Sequence, residues 1–361
     1  MKKYWILFLI VTIGMQSCKP DQANGSKDGK ENSEAPKYVL AMDNLRLRNA
    51  PTQEGSILAT LAKGSMVSDL GEVSKKLEVI QIDSLAYCEP WIKVKSADGI
   101  EGWIYAAGID FRGAMDSLWD KRLIALVGRE MRDSVISFQK KITNVQFDAG
   151  LEGLFREGQA LRDEINTILE KASFELSDAS GLPDLFWLKE VFPCFVPQVV
   201  AEGTSYYLFT DFKQFLKLSK KTTEKYDDEF MDICTHIYPV DSIEYFFPAW
   251  SIQTWDYGGN SLLGRDIHHD ILGKLDHFRK SYDFFGPEVL GFKQMIVDDI
   301  TNADVSYWES QENILKEVNA ILKENYALLN DSDRIALKVR RDQFLEPARF
   351  NIVLNLRSGE E

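Results

Sequence analysis

The stretch NLRLRNAPTQEGSILATLAKGSMVSDL occupies residues 44–70, and PWIKVKSADGIEGWIYAAGI occupies residues 90–109. Apolar and polar residues alternate in both, as in LRLR, ILATL and WIKVK, and this period of two is typical of half-buried strands. The turn-forming pairs AP and KG and the triplet ADG separate these runs. Several short strands at this spacing predict a small closed or nearly closed β-barrel over residues 38–110.

The order of these residues resembles the bacterial SH3-like (SH3b) domain. That family usually shows Leu-x-Val-Arg-x-x-Pro, Leu-x-x-Gly, Trp-x-Lys-Val and Gly-Trp-Val in succession. The chain departs from this pattern at Arg46, where Asn is usual, and at Ala50, where Gly is usual. It is also longer than the family norm between Leu70 and Trp91, where LEVIQI (77–82) predicts a lengthened hairpin strand. The matching residues are Leu45, Leu47, Arg48, Pro51, Leu61, Gly64, Trp91, Lys93, Val94, Gly102, Trp103 and Ile104.

The resemblance implies a barrel that binds cell-wall peptides or protein segments and performs no catalysis. Its candidate ligand-binding residues are Arg48, Trp91, Trp103 and Tyr105. These side chains could rim a shallow groove for an extended peptide, because aromatic faces beside a fixed cation hold such ligands. The alternative role is structural: the two tryptophans cover the barrel core while the arginine bonds loop carbonyls. The sequence leaves both roles open.

The amino terminus has the layout of an export signal. Lys2 and Lys3 precede the apolar run WILFLIVTIGM, which is well short of the ~20 residues that a spanning helix needs. The cysteine that follows resembles that of a bacterial lipoprotein signal, which implies cleavage after residues 1–17 and lipidation of Cys18. Met15 and Gln16 depart from the usual lipobox, so an ordinary cleaved signal and an uncleaved anchor stay open as alternatives.

Residues 18–37 predict a flexible tether between this signal and the barrel. After the cysteine the segment reads KPDQANGSKDGKENSEAP, without aromatic or branched aliphatic residues. Such a segment cannot bury enough apolar surface to offset its ordering entropy. We therefore expect an exported protein that is lipid-anchored in the bacterial cell envelope, at the outer membrane and facing the periplasm or the cell surface.

The composition limits the partners of the protein. The chain has 361 residues, 45% of them hydrophobic, and a formal net charge of −14. This length and composition support a substantial core and two domains. An acidic protein does not suit nucleic acid, whose phosphates require basic patches. The expected partners are a cell-wall peptide or an envelope protein, together with the membrane through the lipid anchor. No pattern in the sequence requires a cofactor.

From about residue 114 the spacing of apolar residues changes to three and four, which predicts amphipathic helices. With short connections and one-sided apolar stripes, these helices predict an irregular antiparallel bundle over residues 114–361. The expected fold is thus multidomain: a small all-β SH3-like barrel followed by a mainly α-helical domain of unknown function. The helices are expected at about 118–142, 154–169, 211–234, 262–285, 304–329 and 330–347.

The helical part shows no recognisable catalytic constellation, so neither a catalytic residue nor a metal site is predicted. Its one compact polar set is Asp266, His269 and Asp270, at helical spacing i, i+3 and i+4, for which a solvated helix face is the simpler interpretation. Cys194 lies in an apolar setting and Cys234 within a helix, which does not suit a thiolate nucleophile. A disulfide between these two cysteines stays open.

The aromatic stretch EYFFPAWSIQTWDYGGN at residues 244–260 is the remaining candidate for a site. Such a run is more often a buried loop between helices. The functional alternative is a ligand cleft that holds Trp250, Trp255, Asp256 and Asn260, because aromatic rings beside acids and amides stack on sugar rings.

These observations predict a non-catalytic binding or scaffold protein of the cell envelope, with the barrel engaging a cell-wall peptide or protein segment. One alternative is an envelope (cell-wall) hydrolase with a site around Asp266, His269 and the aromatic loop. The other is a structural adaptor in which the barrel packs on the helices and binds nothing small.

Overall fold

A computed structural model of the chain describes residues 36–145, 150–171, 184–200, 205–239, 247–253 and 259–356. Lys37–Glu361 form one compact unit. The predicted export signal, Cys18 and the tether up to residue 35 lie outside the described residues. Of the helices in the described ranges, none has the length and apolar character to cross a membrane.

The first part of this unit is built from strands. The strands are β1 (Lys37–Leu40), β2 (Leu45–Arg48), β3 (Ile57–Leu61), β4 (Met66–Val73), β5 (Glu78–Ile82), β6 (Leu85–Glu89), β7 (Trp91–Ser96), β8 (Glu101–Tyr105) and β9 (Ile109–Asp110). Seven of them form an antiparallel sheet in the order β3-β2-β8-β7-β4-β1-β9, and β5 and β6 form a separate two-stranded ribbon. The ribbon occupies the segment that makes the chain longer than expected between residues 70 and 91.

The inner face of this sheet forms its own apolar core. Leu40, Leu47, Ile92, Val94 and Ile104 are at most 1% exposed. They come from alternate positions of four strands, as the pleat of a strand with one buried face requires.

Gly102 allows strands β2 and β8 to approach closely. A Cβ atom at this position would lie 2.7 Å from the carbonyl oxygen of Arg48 and 2.8 Å from Cγ of Leu47. Both atoms belong to the neighbouring strand, so a side chain here would force the strands apart. The glycine of the GW pair is thus a packing requirement of the barrel.

The second part is mainly helical. Two hairpins interrupt the helices: β10 (Phe195–Val200) with β11 (Ser205–Thr210), and β12 (Ser251–Gln253) with β13 (Gly259–Ser261). A small β-sheet part followed by a mainly helical part confirms the predicted fold class. The helices are α1 (Met115–Val127), α2 (Arg129–Thr143), α3 (Glu152–Lys171), α4 (Leu188–Val191), α5 (Phe212–Ser219), α6 (Lys225–Ile237), α7 (Ile267–Ser281), α8 (Gly286–Thr301), α9 (Gln311–Lys323) and α10 (Asp331–Leu345).

Three of the predicted helices are wrong in extent. The helix expected over 118–142 is two helices, because Gly128 adopts a φ of 82° that ends α1. The helix expected over 211–234 is also two, α5 and α6, separated by a turn. The long helix expected over 304–329 is limited to Gln311–Lys323. Helix α8 and the β10–β11 hairpin were not predicted.

A cluster of phenylalanine rings holds the helical part together. The ring of Phe155 on α3 lies 5.1 Å from that of Phe215 on α5 and 6.0 Å from that of Phe230 on α6. Phe285, which precedes α8, stacks on Phe230 at 4.0 Å. Offset and edge-to-face contacts of this kind add to the burial of each ring.

Helix α1 joins the sheet through a buried ion pair. The Nζ atom of Lys121 lies 2.6 Å from Oδ2 of Asp69 on β4, and the two side chains are 7% and 8% exposed. The hydroxyl of Tyr38 on β1 also bonds this carboxylate, at 3.2 Å. One turn before the lysine, Leu118 packs into the apolar core of the barrel.

The next residue of α1 holds the β5–β6 ribbon. Arg122 donates from Nε to Oε2 of Glu89 at 2.8 Å, and its Nη2 pairs with the other carboxylate oxygen. Glu89 ends β6 and is 5% exposed. A bidentate arginine–carboxylate pair fixes direction as well as distance, so α1 positions both the sheet and the ribbon.

The buried pair should therefore contribute strongly to stability. Replacing Lys121 by Met leaves the carboxylate of Asp69 buried without its cation, and we expect the free energy of unfolding to fall by about 3 kcal/mol in urea denaturation. Lys141→Met is the control, because Lys141 lies 2.7 Å from Glu157 with side chains 50% and 33% exposed. The free energy of unfolding of this control variant should fall by less than about 1 kcal/mol. Equal losses in the two variants would contradict this assignment.

Candidate functional site

The register of three strands brings the predicted barrel residues onto one face. Trp91 on β7 lies opposite Tyr105 on β8, and Lys93 lies opposite Trp103. Arg48 on β2 lies opposite Trp103 from the other side. Since alternate residues of a strand share a face, these side chains form one outer surface. The guanidinium carbon of Arg48 is 6.0 Å from the Trp91 ring, and the rings of Trp91 and Tyr105 are 5.5 Å apart.

The β5–β6 ribbon covers one half of this outer surface. Trp91 is 3% exposed and Tyr105 is 4% exposed. The indole nitrogen of Trp91 donates to the carboxylate of Glu78 on β5. Ile80 and Tyr87, from the two strands of the ribbon, pack in the same cluster. The chain itself thus occupies the space over these two rings.

Tyr105 is anchored to the ribbon by its hydroxyl group. The oxygen lies within donating distance of the carbonyls of Glu78, at 2.6 Å, and Tyr87, at 2.7 Å. It also accepts the backbone N–H of Glu89 at 3.0 Å. Burial raises the pKa of this hydroxyl, so it stays protonated and able to donate.

Arg48 and Trp103 differ in their access to solvent. Arg48 is 9% exposed and donates from Nη1 to the carbonyl of Gly55 at 2.6 Å, which is the loop-carbonyl contact expected for a structural arginine. Trp103 stays half-buried. Beside it, Lys93 pairs with Glu72 at 2.6 Å. Of the four predicted residues, Trp103 is the one that a ligand can reach, and the ligand-binding role of the set stays a prediction.

Trp250, one residue of the predicted aromatic cleft, is buried in the helical part. Trp250 is 2% exposed and packs beside His268, with ring centroids 6.1 Å apart. Asn260 lies on β13 opposite Ile252. Trp255 and Asp256 lie outside the described residues. Trp250 is therefore a core side chain in this structure.

His268 is the centre of a buried polar network that was not predicted. Its side chain is 0% exposed, and Nε2 lies 2.8 Å from Oδ2 of Asp299 on α8. Its Nδ1 is 3.7 Å from Oε1 of Glu317 on α9, an ion-pair distance. The hydroxyl of Ser261 on β13 donates to the same Asp299 oxygen at 2.6 Å. The network thus connects α7, α8, α9 and β13.

The network holds a positive charge between two negative ones. Burial alone would lower the pKa of His268, but Asp299 and Glu317 raise it to about 9. Burial alone would raise the pKa of Glu317, but His268 and the backbone N–H groups of His269 and Gly264 lower it. His268 is therefore a cation at neutral pH. The position of His268 three and four residues before Ile271 and Leu272 could have indicated its burial, whereas nothing in the sequence indicated its partners.

The stability of the fold should accordingly depend on pH. The folded chain keeps the His268 proton to about pH 9, whereas an unfolded histidine loses it near pH 6.5. The stabilisation is complete below pH 6.5 and is lost as the pH rises to 9, by about 1.4 kcal/mol per pH unit. Urea denaturation across this range measures the slope. His236→Gln, at an exposed position, should keep the slope, and His268→Gln should remove it. If the His268→Gln variant loses stability equally steeply as the pH rises, His268 is not the origin of the pH dependence.

A cleft of about 730 Å³ lies between α6 and α7, and Asp266, His269 and Asp270 all line it. The predicted polar set is thus brought together, although Trp250 does not join it. Part of the aromatic loop of the predicted hydrolase site lies outside the described residues, and the hydrolase alternative stays a prediction. Within the described ranges, no three His, Cys, Asp or Glu side chains are arranged to hold a metal ion.

The cysteines of the described residues are free thiols, so Cys194 and Cys234 do not form the disulfide that the sequence left open. Burial raises the pKa of Cys194 to about 12 and that of Cys234 well above its usual value. Both thiols are therefore protonated at neutral pH and are poor nucleophiles.

Comparison with known proteins identifies the first part of the chain. The family model of the bacterial SH3 domain matches residues 43–110, so the resemblance predicted from the motif series is confirmed for this part. No curated protein and no solved structure matches the chain. A bacterial SH3 domain suggests a role in binding cell-wall components.

Proposed function

We propose that this protein is an exported, lipid-anchored scaffold of the bacterial cell envelope whose SH3 barrel binds a cell-wall peptide or a protein segment without catalysis. The bacterial SH3 domain at residues 43–110 supports binding. The apolar segment before Cys18 supports export and lipidation, and the polar tether supports attachment at a distance from the membrane.

The observation that carries the binding proposal is the half-buried ring of Trp103. It lies in the outer surface of the barrel between Arg48 on one side and Lys93 on the other. Arg48 is bonded to a loop carbonyl and Lys93 is paired with Glu72, so the aromatic face is the part of this surface that suits an extended peptide. Because the ribbon closes the surface over Trp91 and Tyr105, the ligand would have one aromatic contact at its centre.

A second role, as a structural adaptor, is favoured by the contacts of α1. Lys121 and Arg122 hold the sheet and the ribbon through buried carboxylates. The barrel is therefore attached to the helices as part of one unit, and a ligand bound at Trp103 would be connected to the helical surface. An adaptor that binds nothing small would differ from the scaffold proposed above, in which the contacts with α1 leave Trp103 half-buried for a ligand.

The binding role is tested with purified cell-wall sacculi and an envelope extract. We expect retention of the full-length protein, and Trp103→Ala should weaken it at least about 10-fold, because a central aromatic side chain carries a large part of the affinity of an interface. Trp308→Ala is the control, since Trp308 is also half-buried but lies in the helical part. The proposal is refuted if neither the sacculi nor the extract retains the wild type, or if both variants lose retention equally.

The anchor is tested by metabolic labelling with a radioactive fatty acid. The wild type should carry the label and sediment with membranes, whereas Cys18→Ala should lose the label. Cys88→Ala is the matched control, because Cys88 lies on β6 and is half-buried; it should keep the label. A labelled Cys18 variant would exclude lipidation at this residue.

A further inference from the structure

The carboxylate of Asp227 is buried where α3 and α6 begin. Asp227 lies in the first turn of α6 and is 0% exposed. Its Oδ2 atom accepts the backbone N–H of Leu151, directly before α3, at 2.8 Å. The same atom accepts the hydroxyl of Thr222, in the turn between α5 and α6, at 3.1 Å. The side chain thus connects the start of α3 to the start of α6.

The other oxygen of this carboxylate has no partner. Oδ1 of Asp227 is buried and has no hydrogen-bond partner among the described residues. An ionised carboxylate in the interior is costly unless it is paired with a cation and fully hydrogen-bonded. One ligand neutralises such a charge at an atom that nothing larger can reach, and that ligand is a proton.

The charged groups on the elements that meet here provide no counter-ion for this carboxylate. On α6 and in the turn before it, Glu224 and Asp228 repel a further negative charge. On α3 and α8, Arg156 already pairs with Glu152 at 2.8 Å and with Glu288 at 2.7 Å. The lysines of the turn and of the first position of α6 are exposed and form no ion pair with Asp227 within the described ranges: Lys220, Lys221 and Lys225.

An aromatic contact closes the same junction to solvent. The ring of Tyr226 stacks on that of Phe284 at 3.8 Å. The Tyr226 hydroxyl lies so close to Gly150 that a side chain at position 150 would overlap it. Burial raises the pKa of Tyr226 to about 12, so this phenol stays neutral in the range where a carboxyl group titrates. Close packing therefore keeps water away from the unpaired oxygen of Asp227.

We propose that Asp227 is a proton-binding site that tightens the junction of α3 and α6 in acid and loosens it as the pH rises to neutrality. The proton comes from solvent and rests on Oδ1, so the buried charge disappears while Oδ2 keeps both hydrogen bonds. After the proton leaves, the carboxylate is ionised without a cation, and the junction opens more readily. This inference concerns the helical part alone and does not depend on the proposed function.

The direction of the pH effect follows from the burial. Burial raises the pKa of Asp227 from 3.8 to about 6, and the two hydrogen bonds oppose this shift only in part. Between pH 4 and pH 6 the folded chain therefore holds a proton that the unfolded chain has released. The stabilisation by this proton is complete below pH 3.8 and is lost as the pH rises through 6. The range lies below that of His268, so the two effects are separable.

Urea denaturation of the wild type and of Asp227→Asn tests the proposal. Asn is neutral at every pH and keeps an oxygen that accepts the Leu151 N–H. The ratio of the wild-type unfolding constant to that of the variant should rise about 30-fold from pH 4 to pH 6. Amide hydrogen exchange at Leu151 reports the junction itself, and its opening constant relative to the variant should rise over the same range. Glu164→Gln, at an exposed position of α3, is the control and should follow the wild type.

Carbon-13 NMR of the full-length wild type measures the same site without a variant. The side-chain carboxyl signal of Asp227, assigned through its own backbone, should titrate near pH 6. This measurement decides the question even if Asp227→Asn does not fold. A signal that titrates near pH 4, a constant ratio of wild-type to Asp227→Asn unfolding constants, or an equal change in Glu164→Gln would overturn the proposal.

Discussion

Two consecutive residues of α1 determine how the β part and the helical part are joined. Lys121 enters the sheet to pair with Asp69, and Arg122 turns to pair with Glu89 of the ribbon. A buried charge is tolerated only when it is paired, so neither carboxylate can stay in place without α1. This constraint fixes the helix against the sheet and fixes the ribbon against the helix. The packing of Leu118 into the barrel core follows from the same placement.

The ribbon changes what the SH3 motif can do in this chain. Trp91 and Tyr105 have the positions that the resemblance marks as ligand-binding, but the ribbon bonds the indole and the hydroxyl and covers both rings. Arg122 prevents the ribbon from opening freely, because it holds the end of β6. Trp103 is covered less than these two rings and stays half-buried. The extra length between residues 70 and 91 is therefore a structural element that narrows the binding surface.

The barrel could be predicted from the sequence because the residue pattern that defines its strands is local. A period of two and a series of turn residues define strands over short distances, and the register of β7 and β8 then follows for Trp91 and Trp103. The predicted helix boundaries are wrong where a single residue ends a helix although the apolar spacing continues, as at Gly128 with its positive φ. The partners of His268 could not be predicted, because Asp299 and Glu317 are 31 and 49 positions away in the chain.

The β part and the helical part belong to one compact unit, so a ligand held at Trp103 would be connected to the helical surface. Only a few residues separate Asp110 from Met115, and Lys121 and Arg122 then attach α1 to the sheet and to the ribbon. Because no long linker separates the two parts, a contact of the same partner with the helical surface would raise its effective concentration at the barrel when the spacing fits. Modest affinity at the barrel is then enough for a scaffold that also contacts its partner through the helices.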